Sequence, residues 1–216
     1  AVMEQYLPED AIIASSSSGT PVTKIASEAK HPERIIVGHP FNPAYLLPLI
    51  EICGGEKTDP AVIEAAREFY KMYDKAPCVL KKEKNGFIAN RLMHALWREE
   101  IALVTEGVCS MADADDAWTF GPGIRLAAFG PAMNYELGGG ELGLKGCAIK
   151  FGAMTDAVFA DISDMKKVPD TWADQSGEEI ITEMADFPEV IGHTKPEIAS
   201  FRDNLIINVL KMHDRM

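Results

Sequence analysis

The sequence predicts an α+β fold that is mainly helical, with a sheet-bearing part over residues 1–82 and an all-helical part over residues 83–216. Three observations carry this reading. Short apolar, β-branched runs at 11–14, 34–37 and 46–53 all fall early in the chain, bounded by Pro, Gly or Ser as buried strands are. Beyond Gly54-Gly55 the apolar residues recur at helical spacing instead. The length of 216 residues suits one large domain or two small ones.

Taken in order, residues 1–6 read as the closing turns of a helix, and Leu7-Pro8-Glu9-Asp10 as a turn. The strand at 11–14 runs into the polar loop Ser15-Ser16-Ser17-Ser18-Gly19-Thr20, after which Pro21 opens a short helix through Ala29. Strand, loop, helix and strand make a βαβ unit, whose strands are parallel and whose ligands sit at the carboxyl ends. The serine loop and His39 both fall at such ends. Asp59 and Pro60 fit the N-cap and first position of a helix over 61–74. Cys78-Val79-Leu80 is a further short apolar run. Over 86–106, Phe87, Leu92, Leu96, Leu103 and Val104 follow helical spacing up to Gly107, which predicts a long buried helix. Shorter helices follow over 113–120, within 124–137, and over 141–161, 176–185 and 196–213, with Gly138-Gly139-Gly140 as a flexible link.

Composition narrows the partners. A net charge of -12 argues against nucleic acid or an anionic membrane as partner. No apolar run approaches the roughly 18 to 20 residues that span a bilayer. Cys53, Cys78, Cys109 and Cys147 show no C-x-x-C spacing, so free thiols in a reducing cytoplasm are expected. The five histidines show no ligand spacing, and no metal site is expected.

The chemistry concentrates around Gly38-His39-Pro40-Phe41-Asn42-Pro43. A histidine closes one apolar run, and Glu51 lies inside the next. If the two meet, the carboxylate fixes the imidazole tautomer and stabilises its charged form, making a general base. The alternative is that His39 merely caps the corner while Glu51 points to solvent from an edge strand. The serine run is either a solvated loop or a set of hydroxyl and N–H groups for a substrate or cofactor. Asn90, placed mid-helix where its propensity is poor, is either a surface residue or aimed at a ligand. Arg125, in a Gly-rich apolar turn, either grips a carboxylate or pairs with a protein acid. Gly138-Gly139-Gly140-Glu141-Leu142-Gly143 follows a helix rather than a strand and reads as a linker, not a phosphate loop.

Four motifs in order carry a resemblance: Ala14-Ser15-Ser16-Ser17-Ser18, Gly38-His39-Pro40-Phe41-Asn42-Pro43, Leu49-Ile50-Glu51-Ile52 and Gly86-Phe87-Ile88-Ala89-Asn90-Arg91-Leu92. Together they resemble the 3-hydroxyacyl-CoA dehydrogenase family. Gly-His-Pro-Phe-Asn-Pro with Phe120-Gly121-Pro122-Gly123-Ile124-Arg125 is nearer the branch holding L-carnitine dehydrogenase and lambda-crystallin. The resemblance implies the carboxyl-terminal remnant of a Rossmann-type sheet followed by a helical domain. It implies NAD-dependent oxidation of an L-3-hydroxy group, with a hydroxy acid or acyl-CoA as small-molecule substrate. His39 would be the base and Glu51 its orienting acid. Ser18 and Asn90 would touch the reacting oxygen, and Ser16 and Asn42 the cofactor. Arg125 would favour a free substrate carboxylate. The helical part would form a homodimer. The family's Gly-x-Gly-x-x-Gly fingerprint and ribose-binding acid are absent. The expectation is therefore a carboxyl-terminal portion with weak or no NAD binding by itself. Two rivals remain: a Ser18-His39-Glu51 hydrolase, which lacks a Gly-x-Ser-x-Gly elbow, and a non-catalytic dimerisation module.

Overall fold

The computed structural model describes residues 2–216. They form two compact units, one comprising residues up to His94 together with Ile206–Met216, the other Ala95–Leu205. The first unit holds a four-stranded sheet: β1 (Ile13–Ser15), β2 (Ile35–Pro40), β3 (Leu49–Gly54) and β4 (Ala76–Val79), in that spatial order. As the βαβ reading requires, β1 and β2 are parallel; β3 then joins β2 antiparallel, and β4 lies parallel to β3. Between β1 and β2 the helix α1 (Val22–Ile25) is one turn long rather than running to Ala29. The first residues form a 3-10 turn, Met3–Gln5, in place of the expected α-helical end.

Strand alternation sorts side chains onto the two faces of the sheet. Ile35, Val37 and Cys53 pack with Val22, Ala26, Leu80 and Phe87 on one face. Ile36 and Ile52 pack with Ala66, Val62, Ile63 and Tyr70 of α2 (Pro60–Met72) on the other. Burying each of these isoleucines stabilises the fold by about 1.5–3 kcal/mol. Asp59 caps α2, accepting from Ala61 N at 2.8 Å, with Pro60 in the first turn. Gly38 is required by a close approach: a Cβ there would meet the Tyr70 hydroxyl at 2.3 Å. Arg34, also buried, donates through Nη1 to the carbonyls of Pro8 and, at 3.4 Å, Ala11. That tether holds the chain leading into β1.

The second unit is all helix. It takes in most of α3 (Ala89–Thr105), then α4 (Met111–Thr119), α5 (Pro122–Ala128), α6 (Pro131–Gly138), α7 (Gly143–Asp161) and α8 (Trp172–Asp186); α9 (Lys195–Met212) starts there and ends in the first unit. Ser110 and Asp113 make a reciprocal capping box at the start of α4. The core is small: Ile101, Met111 and Trp172, with Val104 and Met165 against them.

Two expectations fail here. The long helix is not buried along its length. Ile101 and Ala102 are, but Leu92 is 63% exposed, Met93 46% and Trp97 41%. Helical periodicity marks an apolar stripe without saying what covers it. Nor is the triple glycine a flexible link. A Cβ on Gly139 would meet Gly143 O at 1.6 Å, so Gly139 lets the end of α6 lie against the backbone that opens α7, while Gly140 takes a positive φ of +63°.

Candidate active site

The antiparallel register of β2 and β3 sets His39 directly opposite Glu51. Opposed residues share one face with Cβ atoms about 4.5–5.5 Å apart, so pairing the strands brings the two groups together. His39 Nδ1 donates to Glu51 Oε2 at 2.9 Å. Both side chains are buried, at 5% and 1% exposure. β3 is an interior strand, which removes the alternative of a solvent-pointing Glu51.

The other carboxylate oxygen is equally engaged. Glu51 Oε1 accepts from Ile88 N at 2.8 Å and from Ala89 N at 2.9 Å. These are the orphan N–H groups at the start of α3, where partial positive charge favours an anion. Because an ionised carboxylate only accepts, Nδ1 is the ring nitrogen that faces it and Nε2 is the nitrogen left outside the pair. Among the described residues Nε2 has no hydrogen-bond partner. The imidazole lies between Phe87, with ring centroids 5.4 Å apart, and the edge of Phe41 at 6.2 Å.

Two thiols flank the pair. Burial pushes the Cys53 thiol up to about 11, with the charges of Glu83 and Glu51 adding to it. Burial and Glu51 also push Cys78 up. Neither is poised to act as a thiolate nucleophile.

Asn90 sits in the first turn of α3 rather than mid-helix, and its Nδ2 donates to the Ser18 carbonyl at 2.7 Å. Gly86 N makes a second, longer bridge to Gly19 O at 3.5 Å. The segment that anchors Glu51 therefore also holds the serine loop. Within that loop the hydroxyls divide by parity. Ser15 Oγ accepts from Ser17 N at 3.2 Å and Ser17 Oγ from Thr20 N at 3.4 Å. Ser16 and Ser18 are exposed, and among the described residues their hydroxyls have no partner. No hydrogen bond joins Ser18 Oγ to His39, so the serine–histidine contact of a hydrolase is not formed.

The structure thus brings His39, Glu51, Asn90 and Ser18 into one connected network. Ser16 and Asn42 are exposed at the ends of β1 and β2, neither bonded to that network. Arg125 lies in α5, in the other unit, with its side chain exposed. Sequence reasoning missed the two backbone donors of Ile88 and Ala89. The signal was Gly86 before Phe87, a left-handed turn (φ +76° and +52°) that re-aims the chain into the helix.

Residues 1–84 match the model for the NAD binding domain of 3-hydroxyacyl-CoA dehydrogenase, and residues 86–182 match its C-terminal domain. L-carnitine dehydrogenase of Burkholderia mallei is 50% identical over 143 residues, 66% of this chain and 44% of that protein. L-carnitine dehydrogenase of a Pseudomonas species is 40% identical over 94% of this chain and 61% of its own length. The chain thus spans about half the length of the curated relatives it matches. Among solved structures, an NAD+-dependent dismutase, 5-formyl-3-hydroxy-2-methylpyridine 4-carboxylic acid 5-dehydrogenase, superposes with a TM-score of 0.78 at 25% identity, covering 98% of this chain and 66% of that one. (S)-3-Hydroxybutyryl-CoA dehydrogenase from Ralstonia eutropha superposes with a TM-score of 0.54 at 25% identity, over 71% of this chain and 51% of that one. With matches to both domain models in register with the sheet unit and the helices that follow it, the chain belongs to the 3-hydroxyacyl-CoA dehydrogenase family.

Proposed function

We propose that this chain carries the base side of an NAD-dependent dehydrogenase that oxidises the L-3-hydroxy group of a short, carnitine-like 3-hydroxy acid or a 3-hydroxyacyl-CoA to the ketone. The observation that supports it best is the buried His39–Glu51 pair with its open Nε2. In that reading Nε2 takes the hydroxyl proton, and Glu51, fixed by Ile88 N and Ala89 N, stabilises the imidazolium that forms. Ser18 Oγ–H and the second Nδ2–H of Asn90, the first being held by the Ser18 carbonyl, donate to the substrate oxygen. NAD, when bound, supplies the hydride acceptor. The exposed hydroxyl of Ser16 and the side chain of Asn42 would hold it; two neutral, unpartnered hydrogen-bonding groups at strand carboxyl ends suit its amide and ribose. Arg125 favours a substrate with a free carboxylate, which bidentate pairing would select over a thioester.

The identities with L-carnitine dehydrogenases favour the short hydroxy acid. Exposed apolar residues along α7, among them Leu144, Ile149, Met154 and Phe159, support a homodimer formed through the helical unit. The four cysteines are all free thiols, which suits a reducing cytoplasm. Among the described residues no helix is long and apolar enough to cross a membrane.

The test is NADH formation, followed by absorbance, with the complete polypeptide and L-carnitine, short 3-hydroxy acids or 3-hydroxybutyryl-CoA. Turnover that His39→Gln abolishes supports the proposal. Full turnover in that variant overturns the role of the base.

A further inference from the structure

The start of α3 does more for the site than place Asn90. Gly86 and Phe87 both hold positive φ, +76° and +52°. For Phe87, a bulky residue, this is an uncommon conformation, kept only when its surroundings fix it. Its ring is 1% exposed and packs on the His39 imidazole. The turn aims two successive N–H groups, of Ile88 and Ala89, at a single oxygen of Glu51, forming a concave anion cradle of the nest type. Ile88 O accepts from Leu92 N at 3.1 Å, so Ile88 is the N-cap and Ala89 the first helical residue. Neither N–H has a helical partner, and both are free to serve the carboxylate. Glu51 is almost fully enclosed, and its three bonds go to His39, Ile88 and Ala89.

We propose that Ile88 and Ala89 are positioning residues for the base: their peptide N–H groups clamp Glu51 so that its second oxygen stays on His39 Nδ1. This rests on the dehydrogenase reading for its consequence in turnover, but the clamp can be measured without turnover. Ala89 is the point at which to cut it. Proline is well tolerated at the first helical position and has no N–H, and the N-cap before it already favours the extended backbone that proline demands. Ala89→Pro thus removes one donor while leaving the helix in place; Ala89→Gly keeps the donor and serves as control.

The readout is the exchange of the His39 Nδ1 proton with solvent, followed by NMR on ¹⁵N-histidine-labelled chain. A hydrogen bond to a charged group is among the stronger ones, so loosening Glu51 is expected to speed exchange by at least about tenfold in Ala89→Pro and not in Ala89→Gly. Unchanged exchange in a folded Ala89→Pro chain overturns the proposal. Should that variant not fold, Glu51→Asp, one methylene too short to bridge both sides, is expected to show the same acceleration; normal exchange there overturns it equally. In the complete enzyme Ala89→Pro is expected to lower kcat and leave the KM for NAD unchanged. A complete enzyme that reduces no NAD refutes the dehydrogenase reading while the exchange result still decides the clamp.

Discussion

The two units of this chain differ in how they are held and in what charge they carry. The sheet unit has 13 basic and 13 acidic residues, whereas the helical unit, Ala95–Leu205, has 8 and 20, so the whole net charge of -12 resides among the helices. The sheet unit buries both faces of its strands. In the helical unit Phe120, Ile149 and Phe159 are each at least 69% exposed, against a core of three large side chains. The sheet unit also exposes Met72 and Leu92, but its buried strands enclose the His39–Glu51 pair from both faces. A region that leaves such surface open relies less on its own core.

The largest effect that would break this contrast lies at the proposed base. Replacing His39 by Gln in the complete enzyme is expected to lower kcat by about 10²–10⁴-fold, the usual contribution of a general base, as read from initial rates of NADH formation. Next come the cores. Ile52→Ala, fully buried in the sheet, is expected to lower stability by about 2–5 kcal/mol in urea unfolding. Ile149→Ala, 71% exposed, is expected to change monomer stability by less than about 0.5 kcal/mol but to weaken self-association in sedimentation measurements. An equal loss of stability from both would erase the distinction. Gly38→Ala forces a methyl against the Tyr70 hydroxyl and is expected to cost about 1–3 kcal/mol, as overpacking does; Tyr70→Phe in the same background recovers part of it.

The smallest expected effect is electrostatic. Burial first, then neighbouring acids, raises the carboxyls of Glu100, Asp115 and Glu183, all in the helical unit. A carboxyl whose folded pKa lies above its unfolded value contributes stability below the unfolded value and loses it as pH rises through the folded one. The helical unit is therefore expected to melt at a higher temperature near pH 5 than near pH 7.5. Trp97, Trp118 and Trp172 all lie in that unit, so tryptophan fluorescence reads it selectively. A higher melting temperature at pH 7.5 would refute the assignment.

Much of the His39–Glu51 pairing was legible in the chain because register is a sequence property. Ile35-Ile36-Val37 and Leu49 to Cys53 are strands by composition, and pairing them leaves little choice but to face His39 with Glu51. The clamp was not legible, because peptide N–H groups carry no residue signature and only Gly86 hinted at the turn. Coverage of α3 was not legible either. Leu92 and Trp97 satisfy a helical stripe whether or not anything packs on it. Gly139 was misread for a related reason: a residue chosen for flexibility and one chosen for closeness look alike until the neighbouring backbone is seen.

Arg34 carries one more consequence. It is a guanidinium sealed inside the sheet unit, with Nε unpartnered among the described residues and Nη1 held by the Pro8 and Ala11 carbonyls. An expression boundary drawn just before β1 would strip away the Pro8 acceptor and leave an interior cation poorly solvated. The loop ahead of the first strand is thus a counterweight to that cation, and any trimmed version of this polypeptide should keep it.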